Sequence, residues 1–466
     1  ARATIPTAVS PFASTSRSGT VRAFFCVCAK YDYELSLGDA IKAFTQAEMD
    51  TLMYGEIPRG FEVPGYCLRI NMSLEGTKQA AYLWQGKLNT ALTRQKFVRS
   101  LIDPCLYVLK TEEGIILVIV WVDDMAIGYS SASMFELFKS ELKKDINCKF
   151  EDLLKFVGME VVRDRKRKTI TLTQTSYIEK LFKLYLSDVS HKGWKHITPC
   201  GTSREDAAKF MEIKPTDNEQ ERVTNTNRGY LRVIGAIMHA MVFTRPDIAF
   251  HTSRLASCMQ APSNAAYEAC LGVIHYLYHT KELGITFGKV RDLTDPDDIE
   301  PDYDGSYVRA HGDGTFNGRG EHSPYGGGFT EFYFGLLTWI ARSMKFKPLS
   351  SCEMEVAAMV AVTKEGVFST NILLDMHAEL TKVLKVLTDS QSGRDVVCNA
   401  GATKHTVHFE RWLYYVRDMY LRKKLMIELV TTVKMQADDK TKVVDKPKFF
   451  YCRKYQLNIK AETKQH

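Results

Sequence analysis

The sequence predicts a multidomain protein of mixed α/β and α+β class, and three observations carry that expectation. The chain has 466 residues, enough for about two to four domains at ~100–200 residues each. Its first 200 residues interleave strand-like and helical stretches, among them the apolar run 115–122 that returns over 125–129. Residues 309–445 alternate strand-like runs (328–337, 383–387) with helical ones (352–368, 409–421), the pattern of helices layered on a sheet.

Composition bounds the rest. At 45% hydrophobic and 25% charged the chain is ordinary globular protein. A net charge of +7 allows a nucleic-acid partner without requiring one, so any basic groove has to be local. Eleven cysteines lie scattered without Cys-x-x-Cys pairs, and Cys26 and Cys28 stand too close for a usual zinc pair. That argues against a zinc knuckle or a disulfide framework and for a reduced compartment. No apolar run approaches the ~18 residues that span a bilayer, so no membrane partner is expected. Residues 1–20, rich in Ser, Thr, Ala and Arg, loosely fit a transit peptide; a ragged fragment end is the preferred reading.

In chain order, residues 33–37 form a first strand that leads through Asp39 into a helical stretch. Residues 115–122 suit a buried strand and 125–129 its partner, so Asp123 and Asp124 stand at the tip of a rigid hairpin. Tyr82 and Trp84 are expected near the template, although such residues are more often core aromatics. Arg163, Arg165, Lys166, Arg167 and Lys168 put five bases in six positions between two short strand-like runs, a solvated turn or a phosphate contact. Residues 201–229 are polar and read as a connection. Helical periodicity over 230–244 and 261–280 breaks at Arg245-Pro246-Asp247, and His239 sits on the apolar face of the first helix as a satisfied core histidine. Residues 288–305, acidic and turn-rich, read as an interdomain linker. Residues 440–464 interleave bases with Phe449, Phe450, Tyr451 and Tyr455; a weakly packed basic tail is expected, base stacking being the other reading.

The acids carry the chemistry. Adjacent carboxylates beside an apolar wall are costly unless a cation lies between them. Mg²⁺ suits that place, since it is usually held by one or two carboxylates plus substrate phosphates. A plain surface hairpin with an Asp-Asp turn is the alternative. Asp39 would add a third acid to Asp123 and Asp124; taken singly it fits a helix N-cap. Two ions ~3.5–4 Å apart, which stabilise an in-line displacement, need several shared oxygens. A second set comprises Asp313, Glu355, Asp389 and Asp438, on strand, helix, strand and a later turn. Each acid alone is ordinary; the ordered quartet can converge on one point.

Over about residues 8–445, nearly the whole chain, these segments resemble the reverse transcriptase and ribonuclease H portion of a copia-class LTR retrotransposon Pol polyprotein. Asp39-Ala40-Ile41-Lys42-Ala43-Phe44 is similar to the family's Asp-Val-Lys-Thr-Ala-Phe, and Glu56-Ile57-Pro58-Arg59-Gly60-Phe61 to its "QPEGF". Ser73-Leu74-Glu75-Gly76-Thr77-Lys78-Gln79-Ala80 with Trp84 resembles "SLYGLKQAPRQW", and Asp103-Pro104-Cys105-Leu106-Tyr107 resembles "DPCVY". Val122-Asp123-Asp124-Met125 matches "YVDDM", Phe156-Val157-Gly158-Met159-Glu160-Val161 follows "FLGIEI", and Thr244-Arg245-Pro246-Asp247-Ile248-Ala249-Phe250 reproduces "TRPDIAF". Leu349-Ser350-Ser351-Cys352-Glu353-Met354-Glu355, Ala402-Thr403-Lys404-His405 and Ala437-Asp438-Asp439-Lys440-Thr441-Lys442 resemble "LSSTEAE", "RTKH" and "ADILTK".

The resemblance implies a right-hand polymerase followed by an RNase H-like α/β domain with a mixed five-stranded sheet. Palm and partial fingers would take residues 1–200, helical thumb and connection 201–287, a linker 288–306, the RNase H-like domain 307–445 and a basic tail 446–466. The implied activities are RNA-directed DNA polymerase, a nucleotidyltransferase, and ribonuclease H. Two Mg²⁺ per site, or Mn²⁺ in their place, are implied as cofactors. Asp39, Asp123 and Asp124 would hold the polymerase metals; Phe44 would exclude a 2′-hydroxyl; Gly76 and Gln79 would line the nucleotide pocket. Val122, Met125, Gly158, Arg163 and Lys166 would face primer and template. Asp313, Glu355, Asp389 and Asp438 would hold the second pair of metals, with His405 assisting. Glu355 is preferred to Glu353 by its place before the helix's apolar run, and Asp438 to Asp439 by the Ala-Asp register. Implied partners are an RNA template, an RNA–DNA hybrid, dNTPs and other proteins of the element. The implied setting is a cytoplasmic virus-like particle with access to the nucleus.

Departures from the family pattern qualify this. Trp121 replaces a tyrosine, Glu75 an aromatic, Ala81 a proline, and Thr315 a second aspartate after Asp313. The family's fingers hairpin, whose bases touch the triphosphate, precedes the point where this chain begins, and lost phosphate contacts weaken phosphoryl transfer. The rival expectation is therefore a truncated, catalytically impaired relic that binds nucleic acid or another protein.

Overall fold

The computed structural model describes residues 13–187, 197–201, 203–290, 303–316, 323–346, 348–399 and 410–459. They form two compact units, Ala1–Phe24 with Tyr31–Val157 and Phe25–Lys30 with Gly158–His466, and helix α1 (Ser18–Tyr31) contributes residues to both.

The first unit continues with β1 (Glu34–Ala40), β2 (Glu48–Gly55), β3 (Leu68–Met72), α2 (Ala80–Arg94), β4 (Val98–Arg99), β5 (Leu106–Lys110), β6 (Ile115–Trp121), β7 (Asp124–Tyr129), α3 (Ala132–Leu142), β8 (Cys148–Asp152) and β9 (Lys155–Phe156). Six strands make one antiparallel sheet in the order β4-β5-β6-β7-β1-β8. The central place of β6 explains its unbroken apolar run: Ile115 to Val120 are all buried. Trp84, Leu88 and Leu92 of α2 and Phe135, Phe138 and Leu142 of α3 cover one face, over Ile116, Val118, Val120 and Ile127. Each such side chain contributes about 1.5–3 kcal/mol by leaving water. Asp39 lies inside β1 and caps no helix; beyond the strand the chain makes only a short 3₁₀ turn, Ala43–Gln46.

The second unit opens with β10 (Met159–Asp164), β11 (Thr169–Thr173) and α4 (Thr175–Tyr185). Next come α5 (Arg204–Glu212), α6 (Glu219–Asn227), α7 (Tyr230–Phe243), α8 (Ala249–Ala256), α9 (Asn264–His279) and β12 (Ile285–Phe287). β11 pairs with β10 on one side and β12 on the other, Ile170 lying opposite Phe287. That pairing commits residues 158–173 to later chain, so the division falls after Val157 instead of at 200. The polar stretch 201–229, expected as a connection, contains two helices. Ser203 and Asp206 form a reciprocal capping box on α5, and Asn218 caps α6. Periodicity missed them because α5 buries Phe210 and α6 buries Asn225 and little else.

The Arg-Pro-Asp break is a 3₁₀ turn with a structural purpose. Arg245 and Asp247, both fully buried, form a two-pronged ion pair at 2.9 and 2.7 Å, and Tyr276 donates to Asp247 at 2.5 Å. His239 shares a 3.0 Å hydrogen bond with Gln174, as a satisfied interior histidine should.

The last block is β13 (Tyr307–Thr315), β14 (Tyr325–Phe332), β15 (Gly335–Ser343), α10 (Ser351–Asp375), β16 (Thr381–Thr388), α11 (Gln391–Cys398), α12 (Glu410–Leu421), β17 (Leu425–Leu429) and α13 (Lys446–Leu457). Its five strands run in the order β15-β14-β13-β16-β17, antiparallel across the first three and parallel from β13 to β17. This is the mixed five-stranded, RNase H-like sheet that the sequence leads one to expect, joined to a palm-like antiparallel sheet in the same chain. The run 328–337, expected as one strand, is a hairpin. Tyr333 and Phe334 both adopt positive φ, 45° and 65°, in a two-residue turn that ordinarily takes Asn-Gly, so no turn residue announced it.

α10 is long and apolar enough by length and composition to cross a bilayer, contrary to the expectation that no such run exists; 72% of its apolar window is buried inside the unit. The tail expected over 446–466 is corrected as far as residue 459: α13 is capped by Asp445 and buries Phe449, Cys452, Arg453, Tyr455 and Leu457. Of the interleaved aromatics, Phe449 and Tyr455 are core, and Phe450 and Tyr451 are half-buried. The expected linker falls mainly on residues 291–302, outside the described residues.

Candidate functional site

The first acidic set lies at one end of the antiparallel sheet. Asp39 of β1 is the direct cross-strand partner of Asp124 of β7, with Lys149 of β8 on its other side. Trp121 pairs with Asp124, so Val122 and Asp123 are the two residues of the hairpin turn. Val122 holds φ at 56°, an uncommon state for a β-branched residue, which costs about 1–3 kcal/mol. The indole N–H of Trp84 donates to the Val122 carbonyl at 2.8 Å and the Ala40 N–H to the Asp123 carbonyl at 3.1 Å, pinning the turn from both sides.

Burial raises the pKa of Asp123, helped by Asp39 and Glu75 nearby; burial, Asp39, Asp123 and Glu151 raise that of Asp124. Asp123 Oδ1 is buried and accepts no hydrogen bond. Carboxylates crowded and partly dried in this way, with one oxygen unmet, fit a divalent cation.

The second set is tighter. Asp313 on β13, Glu355 in the first turns of α10 and Asp389 just after β16 each bring a carboxylate oxygen within 4.8 Å of the others. Among the described residues Asp39, Asp123 and Asp124 are not gathered so closely. Gly314 makes room for the helix: a Cβ there would lie 2.5 Å from the Met354 carbonyl. Burial first, then Asp313 and Asp389, pushes Glu355 up to about 9, and its Oε2 is buried without a hydrogen bond. Burial likewise raises Asp313. This group also fits a divalent ion. Glu353, the rejected neighbour, accepts from the Leu349 N–H at 2.7 Å and belongs to the helix cap.

Asp438 stands apart from the group of three. Its two oxygens meet Lys442 at 2.6 Å and Lys448 at 3.0 Å. Asp439 points elsewhere, to Lys440 at 2.6 Å and Gln456 at 2.8 Å. His405 lies outside the described residues.

The remaining candidates separate. Gly76 has φ at +88° with open space where a Cβ would lie, and Phe44 packs partly against the sheet core. Gln79 is buried, its amide spent on Thr51 at 3.1 Å and Met49 at 3.3 Å. Val122 is 41% exposed, but Met125 is fully buried between the sheet and its helices, which corrects its expected contact with primer. Alternation along β7 turns Met125 inward. Gly158, Arg163 and Lys166 fall in the second unit, Arg163 on the ladder opposite Ile170 and Lys166 in the exposed turn after β10. Sequence reasoning missed Lys442 and Lys448. Lys442 was findable, since it lies four residues after Asp438.

Comparison with known proteins bears on these sites. Residues 7–192 match the family described as reverse transcriptase (RNA-dependent DNA polymerase). Over 447 residues the chain is 26% identical to the retrovirus-related Pol polyprotein from transposon TNT 1-94 of Nicotiana tabacum, covering 95% of this chain and 32% of that protein. It is 24% identical to the corresponding polyprotein from transposon RE2 of Arabidopsis thaliana, over 94% of this chain and 28% of that one. The chain thus spans about a third of the length of the curated relatives it matches. These matches make residues 7–192 similar to reverse transcriptases and nearly the whole chain similar to part of the Pol polyproteins of two plant transposons. Among solved structures it is similar to a foamy viral protease-reverse transcriptase in complex with RNA/DNA hybrid, at 12% identity and a TM-score of 0.44, covering 86% of this chain and 44% of that one. The fold rests on the strand orders given above.

Proposed function

We propose that this chain is an RNA-directed DNA polymerase with a second, ribonuclease H centre, from a copia-type retrotransposon Pol polyprotein. The observation that carries the reading is the in-register meeting of Asp39 and Asp124, with Asp123 at the adjoining turn, inside the segment that matches the reverse transcriptase family. Asp39, Asp123 and Asp124 would hold two Mg²⁺, or Mn²⁺ in their place. Ions there supply Lewis-acid stabilisation of the attacking and leaving oxygens of a phosphoryl transfer. The chain's own part is to fix the carboxylates: the sheet sets Asp39 against Asp124, and the Trp84 and Ala40 hydrogen bonds set the turn that carries Asp123. Phe44, which follows β1, would lie against the sugar and favour deoxynucleotides. Asp313, Glu355 and Asp389 would hold a divalent ion for hydrolysis of the RNA strand in an RNA–DNA hybrid. RNA template, hybrid and dNTPs are the partners this reading requires, in the particle-bound cytoplasmic setting of such an element.

The test is a pair of assays, primer extension on an RNA template and cleavage of an RNA–DNA hybrid, each with Mg²⁺ or Mn²⁺. The proposal expects both activities, the first lost in Asp123→Asn and the second in Asp389→Asn. Hybrid binding with neither activity would replace it with the impaired relic.

A further inference from the structure

We propose that His275 and His279 form a metal site of another kind, a two-imidazole chelate on the last turn of α9 that takes a divalent transition ion such as Cu²⁺ or Zn²⁺. It uses nitrogen donors and none of the carboxylates described above. Four residues apart on one helix, the two side chains share a face. Their Nε2 atoms lie 3.2 Å from each other and their ring centroids 4.3 Å apart. Bonds of about 2.0–2.1 Å from a metal to imidazole nitrogens, set ~100–110° apart, place two donor atoms ~3.1–3.4 Å from one another. The rings thus already stand at the bite of such an ion. Among the described residues no third His, Cys, Asp or Glu joins them, so water completes the coordination. The exposed His279 leaves room for that water, while His275, only 4% exposed, backs the site from inside.

Three features favour an ion over a bare hydrogen bond between the rings. An N–H···N contact at 3.2 Å lies at the long end of hydrogen bonding and engages one Nε2 lone pair. With both ring protons on Nδ1, both Nε2 lone pairs turn to the metal, and two bonds replace one weak contact. The site also lies where a cation is welcome. α9 ends at His279, and the carbonyls of its last turn form the negative pole of the helix. Lys281, just beyond, is paired with Glu179 at 2.5 Å, which blunts its repulsion. Finally, the turn is held before any ion arrives. Tyr278 stacks on Phe182 with centroids 3.8 Å apart, and the Thr280 N–H donates to the Tyr276 carbonyl at 3.1 Å. Arg245 donates to the Thr280 carbonyl at 3.0 Å and to its hydroxyl at 2.8 Å. Such preorganisation lowers the ordering cost of binding. Imidazole suits copper, nickel and zinc, and carboxylate suits magnesium, so the pair ignores Mg²⁺. An ion here locks the turn that leads into Thr280 and thereby braces the buried Arg245–Asp247 pair.

The test reads nitrogen. Cu²⁺ is titrated, with excess Mg²⁺ present, into the full chain carrying Cys67→Ser, which removes the exposed thiol. Electron paramagnetic resonance then counts the nitrogens on the bound copper by their splitting. One equivalent coupled to two nitrogens is expected. Zn²⁺ at ten times its dissociation constant should raise the melting temperature by about 2–4 °C. His279→Gln, an exposed change, should lose the two-nitrogen signal, weaken Cu²⁺ by about tenfold or more and remove the Zn²⁺ shift. His275→Gln should do the same; where that buried change fails to fold, His279→Gln decides alone. A two-nitrogen signal that survives His279→Gln would overturn the inference, as would its absence from the starting chain. A one-nitrogen signal unmoved by His279→Gln would mark adventitious binding at a surface histidine, and would overturn it too.

Discussion

The two acidic centres of this chain hold like charges together by different means. At the first, three aspartates stand at one end of an antiparallel sheet, Asp123 and Asp124 half-open to water, with the turn pinned by backbone and indole hydrogen bonds. At the second, the acids are driven inside a unit where burial pushes Glu355 up to about 9, and two lysines on the same stretch of chain come in with Asp438. Water and geometry moderate repulsion at the first. At the second the protein brings its own cations. Repulsion among carboxylates therefore costs little stability in the exposed centre and a good deal in the buried one, and the two should answer differently to mutation, pH and metal.

The strongest way to break this contrast is to remove one acid from each. Asp123→Asn should lower primer extension by about 10²–10³-fold while hybrid cleavage persists, and Asp389→Asn should do the reverse. A common loss of both activities would mean that the centres are not separate. Next in size is the scaffold of the second unit. Asp247→Asn leaves the buried Arg245 guanidinium with half its partner, and denaturant unfolding should report a loss of about 3–5 kcal/mol. Burial alone would raise the Asp247 pKa, yet Arg245 and Tyr276 hold it down at about 2, so the pair's contribution is present above the ordinary carboxylate range and disappears only as pH falls towards 2.

The sign is opposite at Glu355. Its folded pKa lies above the unfolded value of 4.5, so the folded state keeps a proton that the unfolded state gives up. Without divalent ions, stability should fall as pH rises from 4.5 towards 9. Glu355→Gln should flatten that slope and stabilise the metal-free protein by about 2 kcal/mol near pH 8, read from melting curves in chelator. Mg²⁺ should stabilise a chain whose first centre is silenced by Asp123→Asn and Asp124→Asn, and leave that chain unmoved once Glu355→Gln is added. Smallest is Trp84→Phe, which deletes the hydrogen bond to Val122. About 1 kcal/mol of stability and a few-fold of extension should be lost, with hybrid cleavage unchanged.

How much of this was legible in the sequence depends on where the signals were local. The hairpin around Asp123 and Asp124 was readable because eight apolar residues in a row mark a buried strand. Of the four acids read as an ordered set, Asp313, Glu355 and Asp389 come together and Asp438 does not join them; Glu355, chosen over Glu353 by its place before the apolar face of α10, is the one in the group. Met125 was misjudged because proximity to Asp124 along the chain says nothing about the alternation that turns it inward. The helices between 203 and 227 were missed because capping holds them, with hardly an apolar stripe. The Tyr333–Phe334 turn carried no glycine or asparagine to mark it. The burial of α13 was invisible because its bases and aromatics look like a tail until their partners, far away in sequence, are known.

Those partners give α13 a consequence in time. Arg453 donates to Tyr276 at 3.0 Å, and Tyr455 donates at 2.7 Å to Glu331, which also binds Arg309 and His311. A ribosome must release residues near 455 before either knot can close, whereas the first unit's sheet has all its strands by residue 152. Synthesis thus staggers the two units: the one proposed to copy a strand can mature early, while the one proposed to degrade its partner waits until residues near 455 have been made.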